Sequence, residues 1–171
     1  VQIQVELLRT ASYQSQHTDE DHLASFYTTF DQVRDRNFDG MIITGAPVEN
    51  LEFNQVDYWP ELCEIMAWSR THVHSTLHIC WGAQAGLYFH HGIEKRSLPR
   101  KLFGVYEHRV LKPSSPLFRG FDDVFCAPPS RHTEVWEKDI RAAPGLELLA
   151  TSSEAGVYAV KTEDSSQFFI M

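Results

Sequence analysis

Cysteine is scarce in this chain: Cys63, Cys80 and Cys126 are the only three among 171 residues. The number is odd and no pair has CxxC spacing, so neither a disulfide framework nor a zinc ribbon is read from them. A reducing, cytoplasmic compartment is expected. Long apolar runs are also missing, none approaching the roughly 20 residues of a membrane span, and no basic-then-apolar leader is seen ahead of the first strand-like run. A soluble protein without a membrane partner is therefore expected. Basic residues are few, 15 Lys and Arg against 23 Asp and Glu, for a formal net charge of −8. Phosphate contacts need clustered cations, so a nucleic-acid surface is excluded and small molecules or proteins remain as partners. Internal repeats, linkers and low-complexity segments are absent.

What is present is a globular composition, 43% hydrophobic and 12% aromatic. That is enough for one substantial core, and residues 1–171 read as a single α/β domain. "VQIQVELL" alternates as a strand does. Over residues 19–36 the apolar positions Leu23, Phe26, Tyr27, Phe30 and Val33 recur at spacings of three and four, predicting a helix with Thr18 as N-cap. "DGMIITGAP" reads as a buried strand ended by Gly45 and Pro47, "VDYWPELCEIMAWSRTH" as a helix with Pro60 in its first turn, and "STLHIC" as a strand. Alternation of strands and helices at these lengths predicts βαβ units in an open, mostly parallel sheet with helices on both faces. Beyond Gly92 the pattern turns to short strands, "KLFGVYEHRVL", "DDVFCAPPSRHTEVW", "LELLATSSE", "AGVYAVKT" and "SQFFIM", predicting an antiparallel or mixed flank. The chain opens and closes on strand-like runs, so an interior fragment of a longer protein is expected.

Ligands of open α/β sheets gather at the carboxyl ends of strands. Two such ends are "TGAPVENLEF" and "CWGAQ". In "HICWGAQAG", Cys80 stands where a strand meets a run of small residues that starts a helix, the layout of a nucleophile elbow. A helix N-terminus favours thiolate, and the backbone N–H groups from Trp81 onward are placed to receive an oxyanion. Acyl transfer through a thioester suits such a site. The competing reading is a small buried hydrophobe ending a strand. Cys63, between Leu62 and Ile65, and Cys126, in an apolar run, read as packing residues. A cysteine nucleophile needs a base, normally histidine, but His72, His74, His78, His90, His91, His108 and His132 have no spacing that singles one out. The pair at 90–91 lacks further ligands, so no metal site is read.

Taken together, "FYTTFDQVRDRNFDGMIITGAPVENLEFNQVDYWPEL", "CWGAQAGLYFHHGI", "KLFGVYEHRVL", "RGFDDVFCAPPSRHTE" and "LELLATSSEAGVYAV" resemble the homoserine O-acyltransferases of the homoserine O-succinyltransferase (trans-succinylase) family, in order and over essentially the whole chain. The resemblance implies a fold similar to class I glutamine amidotransferases. It also implies acyl transfer from an acyl-CoA to the hydroxyl of L-homoserine by a ping-pong route, in methionine synthesis, with Cys80 as nucleophile. Acyl-CoA and L-homoserine would be the small-molecule partners and no resident cofactor is implied; a homodimer stays open. Lys101 matches a lysine that the family uses near the substrate, and Ser130 a serine that contacts homoserine. The family's catalytic histidine and glutamate lie in a "GHPEY"-like motif after a strand resembling "SQFFIM", beyond residue 171. A leading strand and helix, with a lysine near the oxyanion site, are missing as well. On this reading the chain alone is not competent for catalysis.

Glu49, in "TGAPVENLEF", falls where family members carry glycine or glutamate. A succinyl donor brings a carboxylate, and a second one a few ångströms away in a poorly hydrated pocket would repel it by several kcal/mol at an effective dielectric of about 20. Glu49 therefore points to acetyl-CoA as donor. Four alternatives stay open: the same scaffold succinylating L-homoserine; the same scaffold acetylating L-serine, since one methylene is worth only about 1–3 kcal/mol; a glutamine amidotransferase, although those usually carry Gly where Ile79 stands; and a catalytically silent, truncated α/β module.

Overall fold

The computed structural model describes residues 2–12 and 26–171. Strand β1 (Leu7–Arg9) pairs in parallel with β2 (Tyr27–Thr29), which runs into the single-turn helix α1 (Phe30–Val33). The helix expected over residues 19–36 is thus interrupted where it is described, and its proposed cap, Thr18, lies outside the described residues. The β-branched pair Thr28 and Thr29 favours extended backbone, and the Gln32 side chain accepts the Thr29 N–H at 2.9 Å, restarting the helix there. The strand expected from "VQIQVELL" is reduced to β1. Ile3 and Val5, ahead of it, are 83% and 74% exposed.

From Phe38 onward the alternation is as expected. Strand β3 (Phe38–Ile43) leads through a loop to α2 (Trp59–His72), then β4 (Val73–Ile79), then α3 (Trp81–His91). The remainder is β5 (Arg96–Phe103), β6 (Tyr106–Val110), β7 (Val124–Ala127), β8 (Ser130–Glu134), α4 (Glu137–Ala142), β9 (Leu146–Ser152), β10 (Gly156–Thr162) and β11 (Gln167–Ile170). Seven strands form the main sheet in the order β3-β4-β11-β10-β9-β6-β7, while β5 and β8 form a separate antiparallel arm.

The sheet is an open α/β sheet, but less parallel than expected. Only β3–β4 and β4–β11 are parallel ladders; β11–β10, β10–β9, β9–β6 and β6–β7 are antiparallel. Short turns join β9, β10 and β11, and a turn cannot make a parallel crossover, so hairpins take over that half. Helices on both faces were expected; among the described residues α2, α3 and α4 share one face. Leu87 of α3 and Ile140 of α4 pack with Val157, Val160 and Phe169, and Leu62 and Met66 of α2 pack with Ile43, Trp81 and Ala85. The opposite face is covered at its antiparallel end by Phe118, which packs on Leu149, Ala150 and Ala159, whereas Ile42 at the parallel end is 61% exposed.

Two histidines, His78 of β4 and His90 of α3, carry a stability consequence. His78 of β4 is fully buried, stacks on Phe169 at 4.8 Å between ring centres, and has no hydrogen-bond partner on either ring nitrogen. Burial first, then the neighbouring His90, lowers its pKa to about 3; burial likewise lowers His90 to about 4. The unfolded chain therefore binds more protons than the folded one between pH 6.5 and 3. The stability that neutral His78 contributes is complete above pH 6.5 and is lost as pH falls through that window. At pH 5 this one group should cost about 2 kcal/mol. Urea unfolding at pH 7.5 and 5.0 measures the loss, and His78→Leu, which cannot titrate, should lose that much less. An unchanged pH dependence in the variant would assign acid sensitivity elsewhere.

Candidate active site

The site begins with a backbone conformation. Cys80 has φ 57° and ψ −122°, values that a residue with a Cβ adopts only under constraint. Two constraints are visible. Its N–H donates to the Ile170 carbonyl of β11 at 2.7 Å, extending the β4–β11 ladder by one residue. Its own carbonyl accepts the N–H groups of Ala83 (3.0 Å) and Gln84 (3.3 Å), opening α3. The chain is held as strand on one side of Cys80 and as helix on the other. The thiol is left exposed at the carboxyl end of β4. Trp81 is the first residue of α3, so its N–H belongs to the group that helix geometry leaves without an intrahelical acceptor.

Close packing against β3 makes the turn possible. A Cβ on Gly82 would lie 2.7 Å from the carbonyl oxygens of both Ile43 and Thr44, and one on Gly45 would lie 3.0 Å from the Cys80 Cβ and 3.4 Å from its Sγ. The glycines of "TGAP" and "CWGAQ" therefore fit one another: each lets the other's backbone approach the nucleophile.

The loop after β3 carries Glu49. It is anchored by Phe53, which stacks on Trp59 (4.9 Å) and Tyr88 (4.6 Å), and by Lys95, whose ammonium donates to the Glu49 carbonyl at 2.8 Å. The Glu49 carboxylate turns toward β8, where its Oε2 accepts the His132 N–H at 3.0 Å. Strand β8 is also tied to the nucleophile helix, because the Thr133 hydroxyl donates to Gln84 Oε1 at 2.8 Å with both residues buried. Alternation along β8 turns Arg131 inward with Thr133. Arg131 is only 5% exposed; its Nη2 donates to the Ala155 carbonyl and its Nε has no partner. Burial pushes its pKa down, the negative charge of Glu134 opposing that shift most among its neighbours.

Sequence reasoning missed this guanidinium. A charged residue at an inward position of "SRHTE" was the available signal.

The other expected positions are more dispersed. Lys101 and Ser130 are both exposed and lie across the β5–β8 arm, Ser130 opposite Phe103 and Lys101 in the irregular stretch between Ser97 and Leu102. Lys101 is 5.8 Å from the Phe103 ring centre. Neither makes a hydrogen bond with Cys80 or Glu49. Cys63 is a half-buried packing residue of α2, its thiol pKa raised by burial. Cys126 is exposed rather than packed: it alternates outward on the edge strand β7. Among the described residues no histidine makes a hydrogen bond with Cys80. Among the described residues no cluster of three or more His, Cys, Asp or Glu is arranged to hold a metal, and no helix is long and apolar enough to cross a membrane.

Solved structures with this architecture include glutamine amidotransferases. The chain superposes on one from Thermotoga maritima with TM-score 0.67 at 12% identity, covering 99% of this chain and 75% of that one. For one from Methylobacillus flagellatus the TM-score is 0.63 at 16% identity, covering 96% and 68%. The chain is thus an α/β protein of the glutamine amidotransferase fold with a cysteine on the elbow. Within that class it belongs to the homoserine O-succinyltransferase family, whose model matches residues 1–171. Its relatives include proteins named homoserine O-acetyltransferase from Agathobacter rectalis, 57% identical over all 171 residues and 55% of the relative's length, and from Thermotoga petrophila, 58% identical over 170 residues and 56% of the relative's length. The chain spans about half the length of the curated relatives it matches.

Proposed function

We propose that this chain carries the nucleophile half of an enzyme that moves an acetyl group from acetyl-CoA to the hydroxyl of L-homoserine, in the cytoplasm and in the service of methionine synthesis. The observation that carries the proposal is the exposed Cys80 thiol on a strained strand-to-helix turn. The thiolate attacks the thioester carbonyl, the Trp81 N–H receives the oxyanion, and CoA leaves as its thiol. Homoserine then attacks the acyl-cysteine and regenerates Cys80. CoA enters as a substrate and no resident cofactor is required. Lys101 and Ser130 would meet the amino-acid substrate once the β5–β8 arm and the elbow face a common ligand.

The second half-reaction needs a base to take the homoserine proton. The resemblance places the family's histidine and glutamate after a strand like β11. The position of that strand supports this, because Ile170 accepts the Cys80 N–H and anything that follows Met171 in a longer chain emerges beside the thiol.

Donor choice is tested at Glu49. In a full-length enzyme with homoserine saturating, Glu49→Gly should raise succinyl-CoA relative to acetyl-CoA in kcat/KM by tenfold or more, since about 1.4 kcal/mol already gives that factor. Glu49→Gln keeps the bulk without the charge and should recover part of the change. A wild-type enzyme that prefers succinyl-CoA would overturn the acetyl assignment.

A further inference from the structure

Among the described residues the β5–β8 arm shares no ladder with the seven-stranded sheet, so contacts other than strand pairing set its position relative to the elbow. It is rooted at one end, where Val135, directly after β8, is buried with Leu87 and Ile93 in the core. The arm's own ladder does not carry that placement outward. Arg96 and Ser97 pair with Glu134 and Thr133, and Leu102 and Phe103 with Arg131 and Ser130, but the register breaks between Ser97 and Leu102, opposite His132. Such a break disrupts the pairing locally and lets the strand bend. Lys101 lies within it and Ser130 beyond it, so their placement depends on what fixes β8 itself.

Thr133 fixes β8 to the nucleophile helix. It is 1% exposed and Gln84 is 3% exposed, and the Thr133 hydroxyl donates to Gln84 Oε1 at 2.8 Å. Gln84 stands in the first turn of α3, where its N–H donates to the Cys80 carbonyl at 3.3 Å. One residue thus closes the turn behind the nucleophile and holds the arm. Helix α3 is the fixed partner, because its Ala83, Ala85 and Leu87 are fully buried in the core. The ties at neighbouring positions lead elsewhere: the His132 N–H bonds the loop after β3 through Glu49, and Arg131 reaches the Ala155 carbonyl.

We infer that the Thr133–Gln84 hydrogen bond sets the β5–β8 arm against the nucleophile helix, and that Thr133 is thereby a positioning residue for the amino-acid acceptor. The inference rests on the acyl-transfer reading, in which Lys101 and Ser130 meet that substrate. It assigns the bond to one half-reaction. The thioester reacts at Cys80 and the Trp81 N–H, which α3 holds whether or not the arm is fastened; the acceptor needs the arm and the helix in register.

The test uses full-length protein and separates the half-reactions. Acetyl-CoA loads Cys80, followed by intact mass, and the isolated acyl-enzyme is then mixed with L-homoserine at rising concentration while its decay is recorded. Thr133→Val keeps the shape, removes the hydroxyl, and should load within about threefold of the wild-type rate. Its decay should need about tenfold more homoserine for half-maximal rate, since a displaced binding group is costly even when the chemistry is untouched. Thr133→Ser retains the hydroxyl and should restore the wild-type dependence. Thr133→Val combined with Gln84→Met also removes the stranded amide oxygen, so stability in urea should recover while the acceptor defect persists; this variant serves as well if the single one fails to fold. A merely structural bond predicts the opposite, a homoserine dependence that returns to normal with stability in the double variant. That result, or a wild-type dependence in Thr133→Val, would overturn the inference and leave acyl transfer standing. If no acyl-CoA loads Cys80 in the wild type, the acyl-transfer reading fails, and hydrogen–deuterium exchange decides whether the bond holds the arm. Peptides covering residues 96–103 and 130–134 should then exchange about fivefold faster or more in Thr133→Val, with β4 and β11 unchanged. Equal exchange in the arm would dismiss the bond as its anchor.

Discussion

Replacing Cys80 by alanine should lower turnover by about 10⁴-fold or more in a full-length enzyme, because the residue supplies the atom that carries the acyl group and nothing else in the site can substitute. Peptide mapping after exposure to acyl-CoA should find the adduct on Cys80 alone. Labelling of Cys63 or Cys126 with Cys80 untouched would reverse the assignment. Cys126 is the natural control: its thiol is exposed on edge strand β7, so Cys126→Ala should be close to neutral for both stability and turnover. The backbone adds a second expectation at the same position. At φ 57° a residue with a Cβ is strained, by roughly 1–3 kcal/mol, and alanine keeps that strain whereas glycine relieves it. Cys80→Gly should therefore be more stable than Cys80→Ala in urea while being equally inactive. Equal midpoints for the two variants would mean that the turn is unstrained.

The other large effect is expected at Gly82, which has no side chain to offer a substrate. A methyl there would lie 2.7 Å from two backbone oxygens at the end of β3. Neither oxygen belongs to a flexible side chain, so α3 has to move. Overpacking of this kind costs about 1–3 kcal/mol. A displacement of the helix that carries both the nucleophile and the Trp81 N–H should cost about 100-fold in the rate of Cys80 acylation. Gly40 provides the comparison: a Cβ there meets only the Ser75 carbonyl at 3.8 Å, an ordinary contact, and Gly40→Ala should be nearly neutral. Chemical denaturation and the acylation rate, read on both variants, test the pair. Gly82→Ala with wild-type acylation would show that the elbow tolerates the shift.

The parts of the molecule legible in the sequence are those set by short-range patterns. The run from "DGMIITGAP" through "CWGAQAGLYFHH" alternates apolar strands with helical spacings, and β3, α2, β4 and α3 form there. Cys80 could be singled out because a β-branched run meets small residues at that point. The helix expected over residues 19–36 was read from spacing alone. Within its described part, extended threonines and a restart at Gln32 decide the matter, and both act over three or four residues. The mixed character of the sheet was out of reach for a different reason: β11 inserts between β4 and β10, and no local pattern states which strands pair. The same holds for the site. Glu49, Cys80 and the inward side of β8 meet only through tertiary packing, and Arg131 reads in isolation like any surface cation.

The Cys80 N–H and its acceptor, the Ile170 carbonyl, have a consequence for how the site comes into being. The donor follows β4 and the acceptor ends β11, far apart in sequence, so the turn that exposes the thiol is clamped only once β11 has docked. Until β11 is made and slides in beside β4, the strand carrying the cysteine has one parallel neighbour instead of two. Pairings between distant segments form late because they must first overcome the entropy of closing a long loop. Formation of the turn is thus coupled to a long-range pairing: a chain in which β11 has not yet docked beside β4 lacks the clamp on the Cys80 N–H.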